Sequence, residues 1–259
     1  MLTVENLSLG YAGRPVIENL SFSLSAGDIL CVLGPSGIGK TTLLRGIAGL
    51  MPHLGGMVRF EGAAIDKPNP GIGILMQHDG LIPWRTAEKN IGLGLAVRRF
   101  YGPDGRHCPG DWRRDRDRDA VIIDELLEAF ELTEFRRRYP GRLSGGQRRR
   151  TAIARTLATD PRLILLDEPL AFLDARLAAT VTKRLTDTVG RGGRAGIVVT
   201  HSVEAALDVG TALLAMAPGT GRAGPSVLEM PGVGGGDRSE RRRRIEEFYG
   251  GEAMHALEA

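Results

Sequence analysis

Uninterrupted apolar runs alternate along this chain with stretches of helical spacing. Ile29-Leu30-Cys31-Val32-Leu33, Leu163-Ile164-Leu165-Leu166 and Gly196-Ile197-Val198-Val199-Thr200 read as strands buried on both faces. Ile72-Gly73-Ile74-Leu75-Met76 predicts another central strand, ending at Gln77. Residues 2–33 break into short runs (Leu2-Thr3-Val4, Leu7-Ser8-Leu9, Val16-Ile17, Leu20-Ser21-Phe22-Ser23-Leu24) with turn residues between them, the pattern of β-hairpins. Val58-Arg59-Phe60-Glu61-Gly62 adds a strand and turn. From about Thr86 to Thr159 the period becomes helical: Ile122, Ile123, Leu126, Leu127 and Phe130 share one face, and Ile153 and Leu157 another. Residues 175–189 read as an amphipathic helix. Strands alternating with helices predict a mostly parallel α/β sheet, interrupted by a helical insertion.

Composition narrows the classes without choosing among them. The 259 residues are 42% hydrophobic and 25% charged, as in an ordinary globular protein. The 34 basic residues barely exceed the 31 acidic ones, and a net charge of +3 gives no argument for a nucleic-acid partner. Cys31 sits in an apolar run and Cys108 in a polar one, so a disulfide framework is not expected and a reducing cytosol fits. No apolar run is long enough to span a membrane, and the first residues lack a signal pattern. Work at a membrane would need other chains as anchors. Residues 101–119 read as a flexible loop or an extended helix start with solvated charges, and 217–239 as loops and turns. Arg241–Arg244, followed by Glu246 and Glu247, predict a short surface helix.

The chemistry concentrates at Gly34-Pro35-Ser36-Gly37-Ile38-Gly39-Lys40-Thr41-Thr42. Strand, glycine loop and helix in succession form the context of a phosphate-binding loop. Gly34, Gly37 and Gly39 allow close approach of the backbone to phosphate oxygens, and the helix start adds partial positive charge. Lys40 would reach the β- and γ-phosphates, and Thr41 would ligate Mg²⁺. Leu163–Pro169 delivers Asp167 and Glu168 to the carboxyl edge of the sheet, where open α/β sheets bind ligands. Adjacent carboxylates beside a triphosphate imply a cation between them, with Asp167 as its ligand and Glu168 polarising water. Asp-Glu-Pro equally suits a helix start. Leu143-Ser144-Gly145-Gly146-Gln147 opens a helix and offers a second anion site, which suggests service to a partner's nucleotide.

With these three motifs in this order, residues 1–220 resemble the ATP-binding subunits of ABC transporters. The resemblance implies an α/β P-loop NTPase fold of the ABC nucleotide-binding type. It would have an N-terminal antiparallel β-subdomain, a helical subdomain inserted at about 86–159, and a C-terminal extension over 221–259. It implies ATP and Mg²⁺, and a head-to-tail dimer in which the phosphate loop of one subunit and Leu143–Gln147 of the other hold each ATP. Tyr11 falls where the family stacks an aromatic on adenine. Gln77 matches the glutamine that touches Mg²⁺ and the attacking water, Asp174 the aspartate crossing the dimer interface, and His201 the histidine on the γ-phosphate. Phe172 stands where a small residue is common, Ser202 where an acid is frequent, and the 101–119 stretch is longer than usual.

Gln77 to Ile91, with Leu81-Ile82-Pro83-Trp84-Arg85-Thr86, looks like the nitrate/sulfonate/taurine group of importer ATPases. That group implies transmembrane permease subunits, an extracytoplasmic solute-binding protein, and a peripheral place on the cytoplasmic face of the inner membrane. A soluble cofactor-assembly ATPase is the alternative, although it should not need Pro83-Trp84. The Lys40–Leu143 spacer is too short for the coiled coil of a repair ATPase, and a single motif set does not fit a two-domain translation factor. A purely regulatory ATP sensor should lack Glu168 or His201.

Overall fold

The computed structural model describes residues 1–98, 116–190, 192–217, 226–230 and 238–258. The chain begins with β1 (Leu2–Tyr11), β2 (Arg14–Leu24), β3 (Ile29–Leu33), α1 (Lys40–Ile47), β4 (Gly55–Phe60), β5 (Ala63–Ala64) and β6 (Ile72–Leu75). Helices α2 (Ala87–Ile91), α3 (Leu93–Arg98), α4 (Arg116–Ala129) and α5 (Gly145–Ala158) follow. Then come β7 (Leu163–Asp167), α6 (Ala175–Gly190), β8 (Ala195–Thr200), α7 (Val203–Val209), β9 (Ala212–Ala217), β10 (Ser226–Met230) and α8 (Arg238–Glu258). Two compact units form. One comprises Met1–Pro68, Leu165–Glu168 and Thr186–Ala259, the other Asn69–Ile164 and Pro169–Leu185.

The first unit holds two sheets. In the antiparallel sheet, ordered β2-β1-β4-β5, the short runs seen in the sequence join into long strands. Asn6 (φ 48°) and Asn19 (φ 57°) interrupt the alternation from within, and the β1–β2 register shifts between Val4 and Leu7. Such bulges are read from sequence as turns. Side chains satisfy the displaced backbone: Asn6 N–H donates to Ser21 Oγ (2.8 Å) and Asn19 N–H to Ser8 Oγ (3.1 Å).

The other sheet of this unit runs β10-β9-β3-β8-β7. Every residue of β3, β7 and β8 is buried, which is why these segments carry no polar alternation. β3 runs parallel to β8 on one side and to β9 on the other. β10 is antiparallel to β9, in a stretch expected to hold only loops and turns. Its five residues are too few to stand out among flanking glycines and prolines. α8 also differs from the short surface helix expected. It extends over 21 residues, breaks at Gly250 (φ 68°), and buries Ile245 and Tyr249.

The second unit is mainly helical. β6 lies beside the start of β7, where the Leu163 N–H donates to Gly71 O at 3.2 Å. In α5, Ile153 and Leu157 are buried as the spacing predicts, and around α4 so are Leu126, Leu127 and Phe130. Residues 116–119 open α4; the rest of the 101–119 stretch lies outside the described residues.

Candidate functional site

Three strand ends of the first unit converge at one edge. Leu33 ends β3 opposite Thr200 of β8, so Gly34 and His201 leave the sheet at the same level. Glu168 follows β7, and its N–H donates to Val199 O at 2.9 Å. Between β3 and α1 the loop crests at exposed Ser36 and Gly37 and returns to the buried Gly39. Gly39 has φ 112°, and a methyl group there would lie 2.9 Å from Val16 Cγ1, so both backbone and space demand glycine.

Lys40 is only 7% exposed, and its Nζ donates to Gly34 O and, at 3.0 Å, to Pro35 O. Burial lowers its pKa, and the charges of Glu168 and Asp167 work in the opposite sense. Thr41 Oγ1 donates to Asp167 Oδ2 at 2.6 Å, and Asp167 is buried. A hydroxyl and a carboxylate in contact make an all-oxygen donor set of the kind a hard divalent cation takes. Glu168 adopts φ 52°, a left-handed conformation that costs a non-glycine residue about 1–2 kcal/mol. Its Oε1 lies 2.8 Å from Nδ1 of the half-exposed His201. The residues after Glu168 turn instead of entering a helix, and α6 starts only at Ala175, so Asp-Glu-Pro is not a helix start. At the end of β1, half-exposed Tyr11 places its hydroxyl 3.3 Å from Thr42 Oγ1.

The second unit carries the other motif. Ser144 caps α5: its Oγ accepts from the Gln147 N–H (3.2 Å), and Gln147 Oε1 accepts from the Ser144 N–H (2.9 Å). This reciprocal box fixes the helix start. Beside it, Phe172 is 85% exposed at φ 65°, and a methyl group on Gly146 would lie 3.1 Å from Phe172 O. Asp174 is exposed and caps the next helix through Leu177 N–H (2.9 Å).

Gln77, just past β6, belongs to a segment lashed to α5. The buried Arg149 donates to Met76 O (3.0 Å), Gln77 O (3.3 Å) and Asp79 Oδ1 (3.0 Å). Arg155 donates to Asp79 O and Gly80 O, both at 2.6 Å. Sequence reasoning missed these two arginines. Arg149 precedes the core residue Ile153 by four positions, and that spacing was the available signal. Asn90 was missed as well. It is fully buried, its Nδ2 reaches the carbonyls of Ile82 (3.2 Å), Arg85 (3.0 Å) and Thr86 (3.1 Å), and its Oδ1 accepts from Ile82 N–H (2.7 Å). The loop it organises carries Trp84, which is 76% exposed.

Residues 17–171 match the family described as ABC transporter. The chain belongs to that family. Its fold class follows, a P-loop NTPase of the ABC type, and so does its activity as an ATP-binding, ATP-hydrolysing protein. Among relatives of this ABC protein, the taurine import ATP-binding protein TauB of Escherichia coli O157:H7 is 36% identical over 222 residues, 86% of this chain and 82% of the relative. The protein of the same name from Escherichia coli K12 is 35% identical over the same shares. The dimeric bacterial ABC transporter cassette MJ0796 superposes with a TM-score of 0.71 at 28% identity, covering 83% of this chain and 94% of that one. A nucleotide-free cassette covers 97% of this chain and 99% of its own, with a TM-score of 0.74 at 22% identity, which speaks to the fold alone.

Within this ABC chain, Tyr11, Gly34–Thr42, Asp167, Glu168 and His201 lie in the first unit. Gln77, Leu143–Gln147 and Asp174 lie in the second. No described helix is long and apolar enough to cross a membrane.

Proposed function

We propose that the chain is the ATP-hydrolysing subunit of an importer for a small solute, with taurine or a related sulfonate as the first cargo to test and nitrate as the next. The observation that carries the site is the meeting of Thr41–Asp167 and Glu168–His201 on the strand edge that also presents Lys40. The identity to taurine import proteins carries the cargo class.

In this reading Lys40 and the N–H groups of Gly34 and of Ser36 to Thr42 hold the β- and γ-phosphates, and Tyr11 stacks on adenine. Thr41 and Asp167 would hold Mg²⁺, assisted by Gln77; the cation supplies positive charge against the phosphate oxygens. Glu168 takes the proton of the attacking water. His201 steadies Glu168 through Nδ1 and meets the γ-phosphate. The first-turn N–H groups of α5 have no partner within the helix. The capping box engages the N–H groups of Ser144 and Gln147, so Gly145 and Gly146 present theirs to the nucleotide of a second subunit, with Leu143, Ser144 and Gln147 fixing the entry and Asp174 crossing between subunits.

The partners proposed are a second ATPase subunit, a transmembrane permease and an extracytoplasmic solute-binding protein, with no nucleic acid. The ATPase would sit peripherally on the cytoplasmic face of the inner membrane. Residues 1–220 would form the ATPase domain, with a helical part over 86–159, and 221–259 its extension. Trp84 supports a permease contact, because an exposed indole on a loop held by Asn90 suits a docking surface. Nearby in this unit, Arg85, Glu88, Lys89, Gly92, Ile123 and Arg136 line a cavity of about 350 Å³.

The test is reconstitution with the permease and binding protein in vesicles, with taurine, other sulfonates and nitrate supplied on the binding-protein side. Solute-dependent stimulation of ATP hydrolysis is expected. Hydrolysis that reaches full rate without a permease and ignores every solute would favour the soluble assembly ATPase.

A further inference from the structure

The carboxyl-terminal helix α8 reaches the root of the phosphate loop. Tyr249 is buried, and its hydroxyl lies 3.0 Å from Leu33 O and 3.0 Å from Met216 O. Leu33 is the last residue of β3, immediately before Gly34. Met216 is near the end of the neighbouring parallel strand β9, where Leu33 pairs with Ala215. The same Met216 carbonyl limits Gly34, since a methyl group there would lie 2.8 Å from that oxygen. One hydroxyl thus serves two carbonyls at the point where the loop departs from the sheet.

The contact is firmly held. Ile245, one helical turn before Tyr249, is fully buried and seats the helix. Toward its start, Arg238 pairs with Glu204 and Asp208, and Arg242 with Glu204. Both acids belong to α7, the helix that begins two residues after His201. α8 therefore touches the exit of the phosphate loop and the helix behind the histidine. Two carbonyls can only accept, so the phenol must stay protonated to serve them. Burial raises its pKa and keeps it so.

We propose that Tyr249 is a positioning residue for nucleotide binding: its hydroxyl anchors the Leu33–Gly34 corner and so sets the geometry of the phosphate grip. The proposal rests on this loop being the ATP site. Removing only the hydroxyl leaves two buried carbonyls without that donor, while the ring keeps its place. The corner then relaxes, and with it the array of N–H groups facing the phosphates.

The experiment compares the full-length protein with Tyr249→Phe and Ile245→Ala. ATP affinity is measured by titration calorimetry, KM and kcat in the permease complex, and thermal unfolding without nucleotide. Ile245→Ala is the packing control, because it loosens α8 without touching the carbonyls. The expected result is a rise of about threefold to tenfold in the ATP Kd and KM for Tyr249→Phe, the effect of part of one hydrogen bond, with kcat nearly unchanged. Ile245→Ala should lower Tm further and leave Kd within twofold for the folded protein. Tyr249→Phe with unchanged Kd and KM overturns the proposal. An equal rise in both variants overturns it too, because that assigns the effect to helix packing, and so does a Tyr249→Phe chain that fails to fold. Failure of the unsubstituted protein to bind ATP would instead remove the underlying reading of the loop.

Discussion

His201 Nδ1 lies 2.8 Å from Glu168 Oε1, joining the residue after β8 to the residue after β7. A carboxylate only accepts, so the shared proton sits on Nδ1 and the imidazole is held by the group proposed to take the water proton. The two side chains form one device. Glu168→Gln should keep ATP affinity and lower kcat about 100-fold or more. His201→Ala should lower it by a comparable factor, and the double variant should be little worse than either single one, because contacting residues that act together are not additive. Single-turnover hydrolysis in the complex measures all three. Multiplying losses would separate the residues, and a Glu168→Gln chain with ordinary turnover would remove Glu168 from its role.

Lys40 is a buried ammonium whose pKa burial has lowered, so its charged form carries an energetic cost in the folded chain. A lowered lysine pKa makes that cost full below the folded-state pKa, and it fades as pH rises through that value. Lys40→Met keeps most of the stem and removes the charge. Without nucleotide, its Tm at neutral pH should therefore be close to or above that of the unsubstituted chain. The gain in Tm on adding ATP should vanish, reflecting loss of about 2–3 kcal/mol or more of charge-assisted binding. Differential scanning with and without ATP checks both halves. A retained ATP-dependent gain would mean that Lys40 does not face the phosphates.

Ser144 and Lys40 lie in different compact units and are proposed to serve different nucleotides. An inactive Lys40→Ala chain mixed with an inactive Ser144→Arg chain should then rebuild one intact composite site. Where subunits exchange freely, about half of the dimers are mixed. Each has one working site of two, so roughly a quarter of the normal rate should return if the sites act independently. A mixture that stays inactive although the chains demonstrably exchange counts against the head-to-tail arrangement. So would sedimentation of ATP-bound Glu168→Gln as a monomer, both alone and in the complex.

What the sequence disclosed follows from how each element is stabilised. Fully buried strands such as Ile29–Leu33 advertise themselves because both faces must be apolar. Gly39 and Asp167 were visible because their chemistry admits few other residue types. The pattern of β1 breaks into short runs because Asn6 turns to φ 48° without ending the strand, a conformation that polar side-chain partners sustain. Tyr249 was hidden because its acceptors are the backbone of residues 216 and 33 positions away, which no local pattern encodes. Arg149 was masked because three successive arginines suggest a solvated face, yet Arg149 is 2% exposed and Arg150 7%.

Trp84 should transmit closure of the nucleotide site to the permease. A tryptophan in the helical part is either a core residue or a contact for another chain. At 76% exposure it is not core within this chain. Its loop is nonetheless ordered, because Asn90 ties down Ile82, Arg85 and Thr86, and Pro83 fixes its own φ. An exposed indole on a braced loop gains little for the isolated chain and much for a complex. Trp84→Ala should therefore shift the Tm of the isolated protein by no more than the equivalent of about 0.5 kcal/mol, the usual range for surface positions. ATP affinity should be unchanged. In the complex, assembly should weaken by about 2 kcal/mol or more, as at a binding hot spot, and solute-stimulated hydrolysis should fall further than basal hydrolysis. Asn90→Ala supplies the contrast, since it leaves the indole in place but removes the brace. It should destabilise the isolated chain by about 1–3 kcal/mol, as expected of buried groups left without their partner, with a matching fall in Tm, and impair coupling only secondarily. Scanning calorimetry of the isolated chain and co-purification with the permease read the two effects separately. A Trp84→Ala chain that assembles and couples normally would exclude the indole from the contact.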